Sequence, residues 1–303
     1  MRTSILLLAV LALAPKPAAA RDLDEFAKST WYLQIDFERM RKSEAGSGLY
    51  TWVATEVFKE IREETGVELD GKLKGITAWS DEDKPPLIVM TGSFSSQMKD
   101  AVLGMTKVGY EKATHRSMTY YRLDTKKMKA EGGDIDISIN GSSEILMSFA
   151  VRNRVIVTFD ESDMKGLLET GGEIPERATT KSGLIVLSAD EQLLSASAKA
   201  EGLQRGDDEW QSNILNNTRQ VAFAIAEAGK DLLILAELEA KEPELAESIA
   251  NIVRGLVGLS YFNEDMGPAM TKILRSLKVK VDGGRLRMSV TLNPATIVSA
   301  LED

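Results

Sequence analysis

A chain of 303 residues without a single cysteine has no thiol nucleophile, disulfide, cysteine-ligated zinc or cysteine-linked lipid anchor. Its 37 Lys and Arg face 46 Asp and Glu, a net charge of −9. That acidic balance argues against nucleic-acid binding, which rests on cations that displace phosphate counterions. At this length the chain has room for one large domain or two ordinary ones.

The first twenty residues have the layout of a cleaved secretory signal. Arg2 gives a positive start, Ile5 to Ala14 is an unbroken apolar run, and Ala18-Ala19-Ala20 offers small residues to a peptidase. That run is shorter than the roughly 20 residues a spanning helix needs. Cleavage near Ala20 removes Arg2 and Lys16 from the 37 cations, leaving 35 against 46 acids, a net charge of −11. The mature chain is therefore expected to begin near Arg21 and to work in the periplasm or outside the cell. No later stretch is apolar enough to predict a transmembrane segment. A disulfide-free exported chain fits a bacterial envelope better than a small secreted eukaryotic domain.

Trp31 to Phe37 reads as a strand. A helix follows from about Gly48 to Thr65, with Tyr50, Val53, Ala54, Val57, Phe58 and Ile61 on one apolar stripe and Gly66 as its stop. Leu73 to Trp79 and Pro86 to Gly92 read as strands around the acidic turn Asp81-Glu82-Asp83, and Ser95 caps a helix to about Lys107. Met118 to Leu123 is a further strand. Ile135, Ile137 and Ile139 alternate with polar residues, and Asn140-Gly141 turns the chain into Ile145 to Ala150. Val155 to Phe159 and a short helix from Glu161 to Thr170 close the first half. Gly171 to Gly183 shows no periodicity and marks a boundary.

The second half opens with a strand at Leu184 to Ser188 and a polar helical stretch to about Lys199. Val221 to Ala226 and Leu232 to Leu238 read as paired strands. Glu242-Pro243 begins the longest helix, whose stripe is Leu245, Ile249, Ile252, Val253, Leu256 and Leu259. A short helix begins near Gly267-Pro268. Leu277 to Val281 and Leu286 to Val290 form a hairpin about Asp282-Gly283-Gly284, and Asn293-Pro294 caps a closing helix. These elements predict an α+β fold of two modules with largely antiparallel sheets and packed amphipathic helices. The expected division is a signal peptide at 1–20, an N-terminal module at 21–172, a linker at 173–183 and a C-terminal module at 184–303. One continuous sheet shared by both halves is the alternative.

The opening Trp31-Tyr32-Leu33-Gln34-Ile35-Asp36, the strand Leu87-Ile88-Val89-Met90-Thr91-Gly92 with its following helix, and the run from Pro243-Glu244-Leu245-Ala246 to Leu277-Lys278-Val279-Lys280-Val281-Asp282-Gly283 form a pattern. It resembles an uncharacterised group of exported bacterial proteins built from tandem α+β modules. The resemblance covers most of the mature chain and brings no catalytic residue with it.

Several constellations suggest chemistry. Ser96-Gln97-Met98-Lys99 matches S-x-x-K, with Ser138-Ile139-Asn140 and Lys181-Ser182-Gly183 in the order used by penicillin-recognising enzymes. The intervals between them are too short for that architecture, and Ser162-Asp163-Met164-Lys165 repeats the first pattern. Asp136 to Gly141 imitates the start of a calcium loop, yet Met147 stands where the bidentate glutamate belongs. His115, the chain's one histidine, lies in a polar stretch and cannot complete the usual zinc sets. In the last hairpin, Lys278, Lys280, Arg285 and Arg287 fall opposite the apolar side, a face for an anionic lipid or polymer or an ordinary solvated one. No phosphate loop is present, and neither catalytic, cofactor nor metal residues emerge. The reading favours an exported, non-catalytic binding or structural protein of the bacterial envelope, its partner an envelope protein, lipid or polymer. An envelope hydrolase using carboxylate or serine chemistry is the alternative.

Overall fold

The computed structural model describes residues 31–80, 84–104, 109–124, 144–174, 183–194, 214–259 and 267–302. The leader, the Asp81-Glu82-Asp83 turn, the alternating isoleucines, the Asn140-Gly141 turn and most of the expected linker lie outside the described residues.

The chain enters with β1 (Trp31–Asp36), then α1 (Phe37–Lys42), α2 (Glu44–Trp52), a π-helical stretch at Val53–Phe58, and α3 (Lys59–Thr65). Next come β2 (Leu73–Ser80), β3 (Leu87–Gly92), α4 (Ser96–Gly104), β4 (Glu111–His115), β5 (Met118–Asp124), β6 (Glu144–Ser148), β7 (Arg154–Thr158) and α5 (Glu161–Glu169). The remainder is β8 (Ile185–Asp190), β9 (Thr218–Ala228), β10 (Asp231–Ala240), α6 (Pro243–Leu259), α7 (Pro268–Ser276), β11 (Lys278–Asp282), β12 (Arg285–Leu292) and α8 (Pro294–Glu302).

The α+β class holds, but the separate sheets expected for two modules are one sheet. Its order is β11-β12-β10-β9-β8-β1-β2-β3-β7-β6-β5-β4. The reason lies in β1, which pairs antiparallel with β8, Tyr32 opposite Ser188 and Leu33 opposite Leu187. Two compact units are nevertheless distinct. One gathers β1, α2 and the elements from β8 onward; the other gathers β2 to β7 with α3, α4 and α5.

In the second of these units, Val89, Val155, Ile156, Leu123 and Leu146 are buried in the strands. The helix that enters it starts earlier than its apolar stripe suggests, and the π stretch interrupts that stripe. Tyr50 and Phe58 are buried, whereas Val53, Ala54, Val57 and Ile61 are half-buried. Phe58 meets Phe37 edge-on at 5.2 Å between ring centroids. Gly66 then ends α3 with φ +71 and its N–H on the Arg62 carbonyl, a left-handed conformation that glycine adopts without strain.

The first unit is organised by the β9–β10 hairpin, paired from Asp231 opposite Ala228 to Glu239 opposite Gln220. Because side chains alternate across a strand, its two faces differ. One carries Phe223, Ile225, Leu232 and, across to β12, Leu286 and Val290, all buried. Over part of that face α6 packs Ala246 and Ala250 against Leu286 and Ala240. Of the apolar stripe of α6, Leu245 and Ile249 join this packing and its remaining large members do not. Ile252, Leu256 and Leu259 are 51, 55 and 66% exposed, because at about 3.6 residues per turn they lie on a different side from Ala246 and Ala250.

Two glycines make the packing testable. A Cβ on Gly92 would sit 2.4 Å from the Lys72 carbonyl oxygen, whereas one on Gly166 in α5 meets nothing within 4 Å. Gly92→Ala should lower unfolding stability by about 1–3 kcal/mol through overpacking. Gly166→Ala should raise it by up to about 1 kcal/mol, since alanine is the better helix former. Urea denaturation of the two variants checks the contrast.

Candidate functional site

The face of the β8–β9–β10 strands opposite α6 is floored by small side chains. Ala222, Ala224, Ala226 and Ala228 alternate along β9 and are half-buried. Residues directly opposite in an antiparallel pair share a face, so the register supplies the walls. On β8, Val186 lies opposite Ala224 and Ser188 opposite Ala222. On β10, Leu233, Leu235 and Glu237 lie opposite Ala226, Ala224 and Ala222. The result is a shallow furrow of small side chains one strand wide and about 20 Å long for a six-residue advance, closed along its flanks, where Val186 and Leu233 are buried.

The furrow is polar at one end. Ser188 is 1% exposed, and its Oγ has no hydrogen-bond partner. A buried hydroxyl left unsatisfied costs about 1–3 kcal/mol. Across Ala222 stands Glu237, 7% exposed, in an ion pair of 2.7 Å with Arg287 Nε. One row further along the same face are Asp190, Gln220 and Glu239. Burial pushes the Asp190 carboxyl above its ordinary range, while the N–H groups of Leu193 and Gln192 that it accepts pull the other way. Toward Ala228 the neighbours are Val186, Leu235 and Leu233, and Asp231 lies opposite Ala228 itself.

The four cations of the final hairpin are placed on this face as well. Lys280 lies opposite Arg287, and Arg287 opposite Glu237. Arg285 Nε donates to Glu239 Oε2 at 3.2 Å, and Arg219 approaches the same carboxylate at 3.6 Å. Arg285 and Arg287 are thus engaged by glutamates of β10. Lys278 and Lys280 stand exposed on the edge strand β11.

The other unit holds the densest polar cluster among the described residues. Tyr120 Oη donates to Glu161 Oε1 at 2.6 Å, and Arg122 Nη2 reaches Glu161 Oε2 at 2.6 Å. Lys165, one turn along α5, adds a contact of 2.9 Å. Hydrogen bonds from Tyr120, Lys165 and Arg122 hold the Glu161 carboxyl down at about 2. A general acid or base works best with a pKa near the operating pH, so this glutamate is fixed as an anion. Asp160 begins the helix, accepting the N–H of Ser162 at 2.7 Å and of Asp163 at 3.2 Å. The cluster clips α5 to β5.

His115 ends β4, where Nε2 lies 2.8 Å from Glu169 Oε1, with Arg116 at 3.1 Å from the same oxygen. The hydrogen bond from His115 lowers the Glu169 carboxyl, against the opposing effect of burial. Arg116 offsets an anion at the C-terminus of α5, where the helix dipole disfavours it. In both S-x-x-K segments the lysine is turned to a carboxylate. Lys99 lies 3.5 Å from Asp100 and Lys165 pairs with Glu161, while the Ser162 hydroxyl donates to Asp160. Ser138, Lys181 and the imitation calcium loop up to Gly141 lie outside the described residues.

The alanine furrow and Ser188 were not singled out by the sequence reading. Their signal is Val221-Ala222-Phe223-Ala224-Ile225-Ala226-Glu227-Ala228, in which alanine takes every second place. No family model and no curated protein matches this chain. Solved structures of TP0453, a Treponema pallidum protein, are similar to it. Crystal form I has a TM-score of 0.47 at 12% identity, covering 93% of this chain and 97% of that one. Crystal form III has a TM-score of 0.46 at 10% identity, covering 94% and 99%.

The Glu161 cluster predicts a pH dependence. A carboxyl depressed from 4.5 to about 2 contributes stability above its ordinary value, and that contribution is lost as pH falls from 4.5 toward 2. Glu161→Gln should therefore lower stability at neutral pH and flatten the acid limb between those values. Urea unfolding across that range tests this; an unchanged acid slope would mean that the cluster contributes nothing.

Proposed function

We propose that this is an exported, non-catalytic binding or structural protein of the bacterial envelope. The observation that carries this reading is the edge strand β11, where Lys278 and Lys280 stand exposed opposite Ser289 and Arg287. A hydrolase reading draws no support from the Glu161 cluster, whose carboxylate is committed to Tyr120, Arg122 and Lys165. Export rests on the leader composition of Arg2, Ile5 to Ala14 and Ala18-Ala19-Ala20.

Lys278 and Lys280 are the hairpin cations available to an anionic envelope lipid or polymer, because Arg285 and Arg287 already answer Glu239 and Glu237. Reversal of Arg285 and Arg287 would set like charges side by side on the sheet, so a charge-reversal test belongs on the two lysines.

Two measurements test the reading. N-terminal sequencing of protein from its native host should start near Arg21; an abundant form that keeps Met1 to Ala20 would overturn export. Vesicles containing anionic phosphatidylglycerol should retain the wild type at low salt and release it as salt rises. The double variant Lys278→Glu, Lys280→Glu should be retained at least about tenfold less. Equal retention of both proteins would overturn the anionic-surface contact.

A further inference from the structure

We infer that α6 pairs with the α6 of a second copy of this chain, antiparallel and across a two-fold axis. The helix carries two apolar rows. Ala246, Ala250, Val253 and Val257 form the first, which Ala246 and Ala250 seat on the sheet. Leu245, Ile249, Ile252, Leu256 and Leu259 form the second, at alternating spacings of four and three residues. That alternation is the heptad seam along which one helix packs on another. The sheet takes up the first row and only the start of the second. Beyond Ile249 the second row opens to solvent, with Ile252 51%, Leu256 55% and Leu259 66% exposed.

Charge selects a protein rather than a lipid surface as the occupant. A helix that lies in a membrane interface is rich in Lys and Arg on its polar side. α6 has no lysine, and its acids Glu244 and Glu247 outnumber its one arginine. That residue, Arg254, is held by Glu247 at 2.8 Å and Asn251 at 2.9 Å. The seam itself carries no charge that a partner would have to answer.

The seam also complements itself. Turned end for end, it sets Ile252 opposite the partner's Leu256 and Ile249 opposite the partner's Leu259, and the axis repeats both pairs. Gly255 then falls beside the axis, next to the partner's Gly255. It is exposed, and a Cβ there would meet nothing within 4 Å, so no packing inside the fold calls for a glycine. Helix axes approach within 8–10 Å depending on the side chains between them, and a glycine on each side of the axis permits the closer end of that range. An isologous contact of this kind closes as a dimer. The overlap from Ile249 to Leu259 is about 16 Å long at 1.5 Å per residue. So short a pair falls below the roughly 1,000 Å² of a stable interface, and the dimer is a weak one, with a Kd on the order of 100 μM.

Sedimentation equilibrium of protein purified from its native host, from roughly 5 to 500 μM around that Kd, should show a monomer–dimer equilibrium. Leu256→Glu and Leu259→Glu should each raise the Kd at least about tenfold. Both side chains are more than half exposed, so the urea midpoints should stay at the wild-type value, which a merely structural role would not allow. The chain has no cysteine, so Gly255→Cys introduces a single thiol beside the axis. A short bismaleimide should join two such copies. Ser248→Cys should not be joined, because the antiparallel register separates the two thiols by about 18 Å along the pair.

The contact does not rest on the β11 lysines, so Lys278→Glu, Lys280→Glu should dimerise as the wild type does. A wild type that stays monomeric throughout overturns the helix pair and leaves the anionic-surface contact standing. A dimer indifferent to both glutamate variants, or lost with the lysine variant, overturns it by placing the interface elsewhere. Equal cross-linking at positions 248 and 255 overturns the antiparallel arrangement. A monomer that binds uncharged phosphatidylcholine vesicles through Leu256 overturns the second copy as occupant.

Discussion

The register of the β9–β10 hairpin is the constraint on which the C-terminal unit depends. The turn at Gly229, with φ +68, joins two strands of 11 and 10 residues that pair without interruption from Asp231 to Glu239. Side chains alternate with a period of two, so a slip by one residue would move every side chain to the other face. Phe223 and Ile225 fit only the face that buries them, and the alanines between them must then take the other. The floor of the furrow is thus a by-product of the same pairing that builds the core. Its walls follow from the same register through β8 and β10.

The ion pairs follow from that register as well. Glu237 and Glu239 share the alanine face, and β12 meets them with Arg287 and Arg285 directly opposite. Removing a charge from water is costly unless it is paired closely, and Glu237 is among the buried polar residues. Pairing across strands answers that cost directly. The other unit solves a different problem with similar chemistry. There Glu161 accepts from Tyr120 and Arg122 on β5 and from Lys165 on its own helix. One carboxylate joins a helix to a strand.

Much of the local structure was legible in the sequence, because periodicity and capping are local signals. The hairpin of β11 and β12, the proline-led α6 and the glycine-stopped α3 all appear where their residues place them. What was not legible has physical causes. β4, Glu111-Lys112-Ala113-Thr114-His115, is an edge strand without apolar alternation, and edges are often kept charged. Its turn places Arg116 and Ser117 at φ +46 and +68, positions usually given to asparagine or glycine, so the hairpin had no turn signal. The pairing of β1 with β8 is non-local, and no short-range pattern encodes it. α6 shows a further limit: its apolar positions fix a helix but not which of them face inward. The furrow was legible in part, since alanine at alternate positions of β9 is plain in the sequence, but its flanks come from the neighbouring register.

A face built this way departs from what stability alone would select. Four alanines on a strand face forgo the burial that larger side chains would supply, at about 25 cal/mol per Å² of apolar surface. The unpartnered Ser188 hydroxyl adds a further desolvation cost in the same place. Valine at the alanine positions and alanine at 188 would relieve both without disturbing the register, because β-branched residues suit strands. Departures of this kind from local rules are expected where structure serves function. The two departures adjoin each other across Ala222, on one face of one sheet, and are opposed by a well-filled core on the other. That juxtaposition separates the furrow from the exposed Ile252, Leu256 and Leu259 of α6, where apolar side chains stand in solvent beside an Arg254 that donates to Asn251.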